Sequence, residues 1–98
     1  MIDMQVRTER DEIVVHGSHG VGWRESLLHV DQKSFPFLSS LLPYANTIFN
    51  SRQAERLRLE VASPSVRDIL GEETASEIEV LCRQVENGSH LYLWFLGD

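Results

Sequence analysis

The sequence holds one cysteine, Cys82, in 98 residues, so no disulfide can form within the chain and a zinc site built on paired cysteines is excluded. Lysine is equally scarce: Lys33 stands alone, and arginine supplies the other eight of the nine bases. Against fifteen acids these leave a net charge of -6, the wrong sign for coating phosphates, and no nucleic-acid partner is expected. Long apolar runs are also missing. Nothing approaches the ~20 residues needed to cross a bilayer, and Met1 to Arg7 lacks a basic segment followed by an apolar one. The expectation is a cytoplasmic chain without a membrane partner. No low-complexity tract, linker or long repeat divides the sequence, which removes solenoids and multi-domain arrays.

What is present fits an ordinary globule, with 42% hydrophobic and 24% charged residues. A chain of this length can withdraw roughly 65% of its unfolded surface into one core. Ile2, Met4 and Val6 alternate with Asp3, Gln5 and Arg7, and the cluster Glu9-Arg10-Asp11-Glu12 separates them from Ile13-Val14-Val15, which predicts an antiparallel hairpin. Three glycines between Gly17 and Gly22 predict a loop, and Trp23 to Val30 a third strand after it. Ser34 is placed to cap a short helix with Pro36 in its first turn and Phe37, Leu38, Leu41 and Leu42 on its apolar face. Residues 44–50 read as irregular chain anchored by Ile48 and Phe49.

Asn50 and Gln53 have capping-box spacing, so a helix is expected from Ser51 with Ala54, Leu57 and Val61 on one face, up to Ser63-Pro64. Val66, Ile69 and Leu70 predict further helical turns before Gly71. Thr74 and Glu77 form a second box ahead of the stripe Ile78, Leu81, Cys82 and Val85, which Asn87-Gly88 closes as a turn. The uncharged run Leu91 to Leu96 predicts a central strand buried on both faces. Together these describe a single α+β domain over residues 1–98. Its sheet, antiparallel or mixed, has about four strands, the N-terminal ones plus the buried C-terminal one, packed against three to four helices.

Few residues suggest chemistry. His16 and His19 have H-x-x-H spacing beside glycine and are the weak candidates for a metal, although two imidazoles are not a ligand set and no cofactor is expected. The glycine loop lacks the Lys-Ser or Lys-Thr of a P-loop and reverses the dinucleotide-binding spacing. Cys82, on an apolar helical stripe, reads as a small buried hydrophobe with a raised pKa. Ser18 lies between two histidines without a nucleophile elbow. Glu72, Glu73, Glu77 and Glu79 read as solvated acids near a helix N-terminus, and Arg52, Arg56 and Arg58 alternate with Glu55 and Glu60 as a mixed face. Tyr44, Asn46, Thr47, Asn50 and Gln53 crowd hydrogen-bonding groups into irregular chain, and they are the candidates for binding a ligand or partner, although capping alone accounts for several.

Two stretches carry a resemblance, Pro43-Tyr44-Ala45-Asn46-Thr47-Ile48-Phe49-Asn50-Ser51-Arg52-Gln53 and the ending Tyr92-Leu93-Trp94-Phe95-Leu96-Gly97-Asp98. They resemble a set of small uncharacterised bacterial proteins with a P-Y-x-x-T-x-F-N-x-x-Q motif and an aromatic C-terminal strand ending in Gly-Asp. The resemblance implies one framework joining the two stretches, with Asp98 near the middle loop as a further binding candidate. It implies no activity and no catalytic residues.

Small size, acidity and the thin inventory of reactive groups favour a stoichiometric protein-binding module over an enzyme. Its sharpest form is an immunity protein or antitoxin that occludes a basic partner. One alternative is a small-ligand or metal-dependent enzyme using His16, His19 and the Tyr44 to Gln53 segment. Another is a homodimeric scaffold in which Trp23, Phe35 and Phe37 meet across a twofold axis. The nine acids from Glu55 onward fall mostly on predicted helices, so a helical outer face is expected to carry the charge.

Overall fold

A computed structural model describes residues 1–22 and 25–97, positions 25 and 26 by backbone alone. In chain order the elements are β1 (Asp3–Thr8), β2 (Ile13–His16), α1 (Glu25–Leu28), a 3-10 turn (Leu38–Ser40), β3 (Thr47–Phe49), α2 (Ser51–Val61), α3 (Pro64–Leu70), α4 (Glu72–Asn87) and β4 (Leu91–Leu96). The four strands form one antiparallel sheet in the order β2-β1-β4-β3. This is the α+β arrangement expected, with one layer of helices on one face of the sheet.

The hairpin forms because the acidic tetrapeptide cannot continue a buried strand. Thr8 closes it, its Oγ1 accepting from the amides of Arg10 and Glu12, each at 3.2 Å. The ladder then shifts register between Val6 and Arg7, pairing Val6 with Val15 and Arg7 with Ile13. Such a bulge bends the strand and deepens its twist.

Alternation decides the core. Met4 and Val6 of β1, Leu93 and Phe95 of β4, and Phe49 of β3 turn to one side and are buried. They meet Ala54, Leu57 and Val61 of α2, Val66 and Leu70 of α3, and Ile78, Leu81, Cys82 and Val85 of α4. Phe37, Phe49 and Phe95 form a chain of edge-on rings, with centroids 6.0 and 5.7 Å apart. The Asn50 box is made as spaced: Asn50 Oδ1 accepts from the Gln53 amide and Gln53 Oε1 from the Asn50 amide, both at 2.9 Å. Gly71, at φ 86°, separates α3 from α4 in a conformation that L side chains rarely adopt.

Five local expectations fail. Residues 25–28 of the proposed third strand are a helical turn, and Trp23 lies outside the described residues. The third strand is instead Thr47–Phe49, inside the stretch expected to be irregular, where pairing with β4 outweighs its turn-forming composition. Ser34 caps no α-helix, because its hydroxyl donates to Asp31 Oδ2 at 2.8 Å. The Glu60 carboxylate of α2 caps the 3-10 turn from outside, accepting from the Phe37 and Leu38 amides at 3.1 and 2.9 Å.

The Thr74 and Glu77 box does not form either, since α4 starts at Glu72 and Glu77 reaches a distant loop. Finally, β4 is interior in the sheet, yet only Leu93 and Phe95 are buried. Tyr92 and Trp94 stay partly exposed, because the helices cover just one face.

Candidate functional site

The uncovered face of the sheet gathers the residue types that dominate protein interfaces. Register aligns His16, Gln5, Trp94 and Ile48 in one row across all four strands, and Ile13, Arg7 and Tyr92 in the next. Arg7 lies over the Trp94 ring at 4.2 Å from its centroid, while its Nε donates to Gln5 Oε1 at 2.9 Å. The guanidinium is thereby held flat on the indole, and among the described residues Arg7 forms no ion pair with a carboxylate. Beside it, Thr8, Glu9, Asp11, Ile48, Tyr92 and Trp94 line a notch of about 190 Å³. Glu9 and Asp11 bring carboxylates to this notch and Tyr92 and Trp94 bring aromatic rings, with Glu9 Oε2 3.5 Å from His90 Nδ1.

A second concavity, of about 570 Å³, runs between β2 and α4. Val15, Val80 and Leu81 supply apolar surface, and His16, His19, Glu72 and Glu73 stand around it. One carboxylate shapes it. Glu77 accepts from the Ser18 hydroxyl at 2.7 Å and from the amides of Ser18, His19 and Gly20 at 2.9, 3.0 and 3.4 Å. Partial burial pushes its pKa up, but the Ser18 hydroxyl and the three amides together outweigh that and hold it below the ordinary carboxylate value. The loop after β2 is thus tied to α4 by a charge-assisted clamp.

The sequence candidates do not converge on one site. Asn50 and Gln53 are consumed by the cap of α2, Asn46 is exposed, and Tyr44 is 83% exposed. Thr47 belongs to β3, opposite Phe95. Asp98 lies outside the described residues, although its neighbour Gly97 donates its amide to the Ala45 carbonyl at 3.2 Å. A side chain at Gly97 would collide with the Ala45 backbone, so this close approach requires glycine.

His16 and His19 adjoin the β2 and α4 groove, whereas the Tyr44 to Gln53 segment flanks β3 at the opposite edge of the sheet. Three strand spacings, about 14 Å, separate His16 from Ile48. A single enzyme site made from both groups is therefore not what the fold builds. His19 Nδ1 is 4.0 Å from Glu73, and among the described residues no three or more His, Cys, Asp or Glu side chains are grouped to hold a metal.

Other expectations sharpen. Cys82 is buried, with its thiol pushed up to about 12 by desolvation and then by Glu86. Phe35 and Phe37, whose exposed parts are the candidates for a dimer contact, are half-buried and pack one side against the core. The helical acids lie at the surface as expected, and several of them are engaged there. Arg67 binds Glu72 and Glu79, Arg58 binds both Glu86 oxygens at 2.8 and 3.0 Å, Glu60 caps the 3-10 turn and Glu77 holds the loop.

Sequence reasoning missed Arg7, Tyr92 and Trp94, because an uncharged run of six suggested burial on both sides. The available signal was the alternation of Asp3, Gln5 and Arg7 on the strand that pairs with β4. Among the described residues, no helix is long and apolar enough to cross a membrane. Compared with protein-family models, with curated proteins and with solved structures, the chain has no match in any of the three.

Proposed function

We propose that this protein is a non-enzymatic binding module that docks a basic protein partner on the open face of its sheet, in the manner of an immunity protein or antitoxin that occludes a toxin. The observation that carries this reading is the cluster of Arg7, Tyr92 and Trp94, partly exposed on a face that, among the described residues, no helix covers. Tyr, Trp and Arg are the side chains most enriched at interface hot spots, because each combines large apolar area with a directional polar group. The acidic turn at Glu9, Asp11 and Glu12 borders the face, and the net charge of -6 steers a basic partner toward it. The notch between those acids and the two rings then receives one arginine or lysine of that partner.

The test is affinity capture from the source cells, followed by calorimetry with the purified captured protein. A basic partner is expected, bound at least ~30-fold more weakly by Trp94→Ala and by Arg7→Ala, in keeping with a loss of about 2 kcal/mol at a hot spot. Glu9→Gln combined with Asp11→Asn should slow association and reduce its salt dependence. A partner that binds both open-face variants as tightly as the unaltered protein overturns the reading.

A further inference from the structure

The groove between β2 and α4 lies on a different surface and makes a demand of its own. β2 is an edge strand, paired only with β1. Val15 is opposite Val6, and the Gly17 amide donates to the Met4 carbonyl at 2.7 Å. By the alternation of an antiparallel pair, His16 between them turns its N–H and C=O away from β1, toward the open edge. Exposed edges are normally blunted by lysine, proline or very short strands. β2 is short, at four residues, and bulged against β1, but it carries neither lysine nor proline, and Val14 is 54% exposed beside the outward-turned backbone of His16.

Next to this edge lies apolar surface. Val15 of β2 faces Val80 and Leu81 across the groove, and Val80 is 53% exposed on α4. The Glu77 clamp also fixes direction. It draws Ser18 to Gly20 against the first turns of α4, with His19 near Glu73, so α4 runs back along β2 toward Gln84. One end of the groove is therefore acidic, with Glu73 85% exposed and Glu72 shared with Arg67. Its middle is apolar. The clamped loop holds that shape in advance, so little ordering opposes binding.

We propose that this groove takes an extended peptide strand that pairs antiparallel with β2, sets apolar side chains against Val15 and Val80, and places a basic N-terminal end beside Glu72 and Glu73. Main-chain hydrogen bonds to an edge strand supply affinity, and the helix opposite reads alternate side chains. The antiparallel direction follows from charge: β2 runs toward the acidic end, so the N-terminus of an antiparallel strand arrives there with its positive charge. The inference does not depend on the open face.

The test uses the peptide Arg-Thr-Val-Thr-Val followed by a C-terminal lysine amide that carries fluorescein on its side chain, so that the arginine and both valines face α4, titrated against the full chain. Anisotropy should saturate below about 1 mM. The decisive pair is His16→Ala against His16→Pro. Alanine removes the imidazole and keeps the edge amide, so binding should stay within about twofold, whereas proline removes that donor and should weaken binding at least ~10-fold. Glu73→Gln should weaken it about 3-fold and flatten the salt dependence.

In the unaltered protein, saturating peptide should slow hydrogen exchange at the His16 amide, a readout that stands even where His16→Pro does not fold. Equal binding by the alanine and proline variants overturns the proposal, as does absence of binding at 1 mM or an unprotected His16 amide. Peptide-induced shifts at Arg7 and Trp94 in place of His16 would overturn the groove while leaving the open-face reading standing.

Discussion

Met4 and Val6 of β1 are buried while Gln5 and Arg7 on the same strand are not, and Leu93 and Phe95 of β4 differ in the same way from Tyr92 and Trp94. The two faces share one backbone ladder, so this contrast owes nothing to hydrogen bonding between strands. It arises from what lies opposite. On the covered face, α2 and α4 return apolar contacts for each side chain. On the open face, the Trp94 ring is paired with Arg7. A folded chain usually keeps its large aromatics inside, and on the proposed reading the two partly exposed here are what a partner would cover.

The comparison breaks most visibly on the covered side. Phe95→Ala should cost about 3–5 kcal/mol, read as a lower denaturation midpoint in urea, because it empties the centre of the ring cluster. The same truncation at Trp94 should cost under about 1.5 kcal/mol while weakening partner binding at least ~30-fold. Losses of similar size at the two positions would show that the open face is structural and remove the basis for docking there.

A smaller effect is expected at the clamp. Glu77→Ala should cost about 1.5–3 kcal/mol, the range for hydrogen bonds to a charged group. It also has a pH signature. Because the folded pKa lies below the ordinary value, the stabilisation is complete above that ordinary value and is lost as pH falls toward the depressed one. The gap in stability between the unaltered protein and Glu77→Ala should therefore narrow on acidification below about pH 4.5. A gap that widens would reverse the assignment.

The cap of α2 comes next, with Asn50→Ala expected to cost about 1 kcal/mol and to leave binding unchanged. Least of all, Cys82 should resist thiol reagents in the native state at pH 8, given its burial and a pKa near 12. Ready labelling without denaturant would mean that α4 opens locally, and with it one wall of the β2 groove.

Much of the helical layer was legible because its signals are local. The Asn50 box, the break at Ser63-Pro64 and the stripe from Ile78 to Val85 each lie within a few turns of chain, and each is observed. The hairpin and the single α+β domain were legible for the same reason. What escaped were carboxylates with distant duties. Glu77 satisfies the spacing of a capping box, but its acceptor oxygens meet three loop amides nearly sixty residues away. Likewise Glu60, spaced like one more acid on a mixed helical face, caps the 3-10 turn from twenty-two residues away.

The candidate surfaces were less legible than the fold. Tyr44, Asn46, Thr47, Asn50 and Gln53 share a segment but not a purpose, since capping and pairing with β4 consume three of them. Arg7 and Trp94 are 87 positions apart and meet only through the β1 and β4 ladder.

By itself the sequence determined the class of fold, the cap of α2, the buried stripe with its unreactive cysteine, and the sign of the net charge. All of these depend on composition or on neighbours within one or two turns. The tertiary structure alone decided which side of the aromatic strand is uncovered, which edge strand faces a groove, and which acids are already occupied. A side chain's local pattern says which face it occupies, and only the packing of remote elements decides whether that face is covered.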